Sequence, residues 1–173
     1  MKSRELPRLS EISLHILDIA TNSLDAGASL VSIEIAEDDE KCAVAIADDG
    51  VGMPAEILGK AADMGFSTKP GNSGLGLFLL KKAAERTGGS FFMESRSEKE
   101  YPDSHGTTVR AVFMKGGTES LPMGDITSTL ESLVTASPAA DISFTHTKKD
   151  NAVRFDTREI KKRVLPSDTH HKT

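Results

Sequence analysis

The chain has 173 residues, 38% hydrophobic and 27% charged, an ordinary balance for one globular domain or a domain with a small appendage. A net charge of -5 and the absence of Trp argue against nucleic acid as a partner, which calls for a basic face and stacking aromatics. No apolar run approaches the ~20 residues of a membrane helix, and the lone Cys42 excludes an internal disulfide, so a soluble cytoplasmic protein is expected.

The first predicted helix runs from about Glu11 to Ala26, with Ser10 as its N-cap and Gly27 as its stop. Ile12, Ile16, Ile19, Ala20 and Ser23 fall on a largely apolar face, and His15, Asp18, Asn22 and Asp25 on a neighbouring polar stripe. Leu30–Ala36 and Cys42–Ala47, joined by acidic residues, read as a β-hairpin. A short helix is expected from Pro54 to Asp63, then a mobile Gly- and Ser-rich loop over 65–73. Leu75–Arg86 reads as a strong helix, and Ser90–Ser95 and Thr107–Met114 as strands joined by the polar segment Arg96–His105.

Composition shifts after Lys115-Gly116-Gly117. Beyond it, a helix over Ile126–Thr135, a hairpin turning at Lys148–Asn151 and a last helix over Arg158–Val164 make a small extension, 118–165. Residues 166–173 read as a disordered tail. The pattern is that of an α+β fold, an antiparallel sheet with helices on one face.

Four segments carry chemistry, and their order along the chain says more than any one of them. On the first helix, Asn22 offers a neutral hard oxygen suited to Mg²⁺, and Asp18, one turn earlier, a carboxylate able to orient or deprotonate water. Alone, the pair equally describes a solvated helix face. Asp48 ends an apolar strand ahead of Gly50 and Gly52, where a carboxylate can accept from the amino group of adenine; Asp-Gly is also a common turn. Gly71, Gly74 and Gly76 lead into a helix whose N-terminal N–H groups form an anion site. No strand precedes them, so neither the P-loop nor the dinucleotide-binding pattern fits. Lys69, just before, reaches toward a γ-phosphate or simply sits in solvent, and the Thr107 hydroxyl either bonds adenine or only opens a strand.

Together these segments resemble the Bergerat fold of the GHKL superfamily, the group of gyrase-type topoisomerases, the 90-kilodalton heat-shock chaperone, sensor histidine kinases and mismatch-repair ATPases. Asp18–Ala28 resembles the N box, Asp48–Gly52 the G1 box, Gly65–Lys69 the lid's F box, Gly71–Gly76 the G2 box and Gly106–Val109 the last adenine-contacting motif. The match runs over about residues 8–115. It implies a two-layer α/β sandwich, its sheet mixed or antiparallel with helices on one face, that binds ATP with Mg²⁺ under a lid spanning about Gly52 to Ser73. By carry-over Asn22 ligates Mg²⁺, Asp48 recognises adenine, and Gly50, Gly52, Gly74 and Gly76 shape the base and phosphate contacts. Met53, directly after the G1 box, and Leu75, inside the G2 box, join the candidate nucleotide contacts. Asp18 takes the catalytic position.

The departures bear on activity. Hydrolytic members usually carry Glu where this chain has Asp18, one methylene shorter, which leaves the hydrolysis rate open. No phosphoacceptor box precedes the ATP module, so self-phosphorylation within this chain is not expected, and no transducer domain follows. Gly124–Leu130 and Phe155–Ile160 are similar to the extension of small ATP-binding proteins that accompany iron-only hydrogenase and NADH-oxidising subunits. The expected function is a regulatory protein that binds Mg-ATP and hydrolyses it or passes its γ-phosphate to a separate protein. The alternative is a non-catalytic ATP sensor whose lid controls a partner complex. Residues 118–165 can then serve as a homodimer surface, a docking site or a brace on the sheet.

Overall fold

Alternate burial along the first two strands sets the sheet. The computed structural model describes residues 9–68 and 74–164. In β1 (Leu30–Glu37) Val31, Ile33 and Ile35 are buried, and in β2 (Lys41–Asp48) Cys42, Val44 and Ile46. The strands pair antiparallel with Ile33 opposite Ile46 and Ile35 opposite Val44, which puts all six side chains on one face. β4 (Gly106–Met114) flanks β2 and adds Val109, Ala111 and Phe113 to that face, and β3 (Ser90–Arg96) closes this side as the edge strand.

Three helices cover the apolar face. α1 (Ile12–Asp25) buries Ile12, Ile16, Ile19 and Ala20; α3 (Gly76–Arg86) buries Leu80 and Ala84; α4 (Ile126–Ala136) buries Leu133. All belong to one hydrophobic core with the strand residues. The remaining helices are α2 (Ala55–Leu58) and α5 (Thr157–Val164). The Thr157 hydroxyl anchors α5 by accepting from the Ile142 N–H at 2.9 Å.

The chain beyond residue 117 joins the same sheet. β5 (Asp141–Lys148) lies parallel to β1, and β6 (Asn151–Asp156) antiparallel to β5, giving the order β3-β4-β2-β1-β5-β6. The sheet is mixed, as the resemblance allowed, because the chain passes through α4 before entering beside β1 in the same direction. The result is the two-layer α+β sandwich that the motifs implied. Glu37 at the end of β1 ties the new strands on: its buried carboxylate meets Lys115 at 2.7 Å, His146 at 3.0 Å and Lys148 at 3.4 Å. Burial alone would raise this carboxyl, but the hydrogen bonds from Lys115, His146 and Lys148 and the Lys115 charge outweigh it and hold its pKa at about 2. No helix among the described residues is long and apolar enough to cross a membrane.

Three local expectations change. Ser10 does not cap α1. Glu11 holds the N-cap position without a side-chain bond, and the first N–H groups, of Ile12 and Ser13, donate instead to the carbonyls of Pro122 and Met123 at 3.0 and 2.8 Å. α2 stops at Leu58, short of Asp63, with Gly59 as its C-cap, a residue that favours ending a helix. His15 leaves the polar stripe for the core, 2% exposed, with its ring centroid 6.3 Å from that of Phe113. It lies at helical spacing from Ile12 and Ile19, so the apolar face of α1 is one residue wider than its sequence suggests. The expected disordered tail, 166–173, falls outside the described residues.

Burial lowers the His15 pKa from 6.5 to about 4, only partly opposed by the nearby Leu9 backbone. Neither ring nitrogen has a partner with hydrogen-bond geometry among the described residues. The folded protein thus keeps His15 neutral where the unfolded chain protonates it, so stability falls as pH drops from 6.5 toward 4. The loss should approach about 3 kcal/mol. In urea titrations at stepped pH, His15→Leu should remove this component; an unchanged pH slope would show that His15 titrates normally.

Candidate functional site

α1 carries Asp18 and Asn22 one turn apart on the side that faces the start of α3. Gly76, the first residue of α3, sits against them: a Cβ there would collide with Asp18 Oδ2 and approach Asn22 Nδ2 to 3.5 Å. A side chain at this position would displace the Asp18 carboxyl, so the glycine leaves that carboxyl its place against the start of α3. Neither the Asp18 nor the Asn22 side chain makes a hydrogen bond among the described residues. Burial raises the Asp18 pKa above the usual carboxylate value. An amide and a carboxyl are thus held at a helix N-terminus with their polar atoms uncommitted.

Asp48, in contrast, is anchored by three donors. Its Oδ2 accepts from Ser23 Oγ at 2.6 Å, and its Oδ1 from the N–H groups of Gly50 at 3.0 Å and Thr107 at 3.2 Å. The carboxylate is locked in one orientation, with lone pairs of Oδ2 remaining for a further donor. Ser23 is not recognisable from sequence, which places it on the apolar face. The available signal is a hydroxyl on a buried helix face, which has to find an acceptor. The next acid, Asp49, serves the backbone instead. It accepts from the N–H groups of Ser29 and Leu30 at 2.8 and 2.9 Å and from the Ser29 hydroxyl, fixing the start of β1.

The loop from Gly50 to Met53 is stitched to the end of β3 and the connection that follows it. Gly50 O accepts from His105 Nδ1 at 2.6 Å, and Val51 O from Glu98 N at 2.8 Å. Gly52 has φ +64° and lies so close to the Arg96 carbonyl that no Cβ fits, so only glycine makes this turn without strain. Met53 N donates to Ser95 Oγ at 2.8 Å, and the same hydroxyl is 2.8 Å from Thr107 Oγ1. Ser95 and His105 are likewise invisible to local sequence patterns, because their partners lie 42 and 55 residues away.

These elements surround one cavity of about 880 Å³. Asp18, Asn22, Asp48, Gly52, Met53, Gly74, Leu75, Gly76 and Thr107 all line it, joined by Leu14, Leu17 and Phe66. Of the expected contacts, Gly50 lies behind the lining, where its N–H serves Asp48. Lys69, with the rest of the loop over 69–73, falls outside the described residues. The cavity has the size and the mix of apolar wall and few polar groups usual for a small-molecule site.

Comparison with known proteins agrees with this arrangement. A family model described as histidine kinase-, DNA gyrase B- and HSP90-like ATPase matches residues 8–116. Sporulation kinase A of Bacillus subtilis is 28% identical over 108 residues, 62% of this chain and 17% of that protein. The sensor histidine kinase DpiB of Escherichia coli is 30% identical over 73 residues, 40% of this chain and 13% of its own. The chain thus spans less than a fifth of the length of these curated relatives. Among solved structures, the Aquifex aeolicus MutL ATPase domain complexed with ADP shares the fold, with a TM-score of 0.59 and 16% identity over 90% of this chain and 68% of that one. The matched span takes in the whole cavity wall from α1 to β4, and the chain belongs to the family of histidine kinase-, DNA gyrase B- and HSP90-like ATPases.

Proposed function

We propose that the protein is a Mg-ATP-binding regulatory module that hydrolyses ATP or transfers its γ-phosphate to a separate protein. The observation that carries this reading is the convergence of Asp18 and Asn22, whose side chains make no hydrogen bond among the described residues, on the N-terminus of α3. In this reading adenine sits at the Asp48 and Thr107 end, its amino group donating to Asp48. Gly52 and Met53 pass beneath the base, and Gly74, Leu75 and Gly76 present backbone N–H groups to the phosphates.

The donor set fits a hard cation. The Asn22 carboxamide would hold Mg²⁺, which would supply charge neutralisation on the phosphates. Among the described residues no cluster of three His, Cys, Asp or Glu forms a closed metal cage, in keeping with a cation shared with substrate. Asp18 would take the proton of the attacking oxygen. A carboxyl whose pKa burial has raised is a better base than a solvated one. Lys69 would meet the γ-phosphate from the lid. The module would work in the cytoplasm on a partner protein. The likeness of 124–130 and 155–160 to proteins that accompany iron-only hydrogenase makes a redox-enzyme complex the first partner to test.

An ATP sensor with the same pocket differs in one outcome. With γ-labelled ATP and Mg²⁺, the parent protein should release or transfer phosphate and Asp18→Asn should lose at least about a hundredfold of that rate, the span of a general base. Tight binding with no release and no transfer would leave the sensor reading. Asn22→Ala should weaken ATP binding in Mg²⁺ by about tenfold or more while leaving the melting temperature near that of the parent; equal titration curves would remove Asn22 from the metal. The parent should prefer ATP to GTP, and Asp48→Asn should narrow that gap by an order of magnitude, roughly the worth of one hydrogen bond to a charged group. Equal affinities in the parent would sink the assignment of Asp48 to adenine.

A further inference from the structure

We propose that His105 is a positioning residue for adenine-nucleotide binding, acting through its bond to the Gly50 carbonyl; the inference rests on the ATP reading above. His105 does not line the cavity. It is the last residue before β4, and its side chain, 24% exposed, reaches the loop after β2. A carbonyl can only accept, so Nδ1 carries the proton and the 2.6 Å contact fixes the tautomer. Nε2 lies 3.9 Å from Glu98 Oε1.

Gly50 is held at both of its peptide groups. Its N–H donates to Asp48 Oδ1 at 3.0 Å while its carbonyl accepts from His105. A loop freed at the carbonyl turns the N–H away from Asp48 and loosens the carboxylate that faces the base. The neighbouring stitches come from the same segment, Glu98 N to Val51 O and the Arg96 carbonyl against Gly52. The His105 contact is made by a side chain that does not line the cavity, so it can be removed without altering the backbone or the lining. It acts on the loop that holds Asp48, with no bond to Asp18 or Asn22.

This placement has a specific signature. His105→Ala should weaken ATP and ADP by the same factor, about tenfold, and shrink the preference for ATP over GTP. His105→Asn, whose amide N–H lies at a similar reach from the backbone, should recover affinity to within about twofold. Titrations of the full chain with ATP, ADP and GTP, each beside a thermal melt, read this directly. His105→Phe keeps the ring without the donor and replaces the Ala variant if that fails to fold. Ala and Phe variants with parental affinity, a loss confined to ATP, or no rescue by Asn would overturn the inference while parental ATP binding stands. A parent protein with no affinity for adenine nucleotides would instead remove the ATP reading and the inference with it.

Discussion

One carboxylate ties together parts of the chain that are remote in sequence. Asp48 ends β2, and its three donors come from α1, from the turn it begins and from the head of β4. Hydrogen bonds to a charged acceptor are each worth about 1.5–3 kcal/mol, and leaving a half-buried carboxylate without them costs more than they gain. The end of α1, the Gly50–Met53 turn and the start of β4 are therefore not free to move independently. The cavity takes its shape from that restraint, because those elements are its walls at one end.

Asp18 and Asn22 are held differently. Among the described residues their side chains have no such anchors, and their position depends on where α1 lies as a body. α1 is fixed by Gly76 on one side and by the later part of the chain on the other. Its first N–H groups are satisfied by Pro122 and Met123, the Ser13 carbonyl accepts from Thr129 Oγ1 at 3.4 Å, and Leu133 of α4 completes the core beside it. Residues beyond the family match thus take part in aiming the helix that carries the two uncommitted polar groups.

Much of this is legible in the chain, and what is not has a common cause. The strands of the central hairpin, α3 and the cavity-lining Asp18, Asn22, Asp48 and Thr107 follow from local periodicity and from motifs a few residues long. The parallel placement of β5, the burial of His15 and the roles of Ser23, Ser95 and His105 depend on pairs separated by tens of residues, which no local pattern encodes. Ser10 illustrates the point from the other side. It has good cap chemistry, but carbonyls more than 100 residues downstream satisfy the helix instead, and tertiary contacts override local preference.

The parallel pairing of β1 with β5 has a consequence for the order of assembly. β1 occupies an inner place in the sheet only when residues 141–148 have arrived beside it. On a ribosome, the matched span is complete long before that. Until then the β1 edge carries unpaired backbone N–H and C=O groups, the kind of edge that recruits another chain. Residues 141–148 thus complete the sheet and close an edge that the matched span alone leaves open.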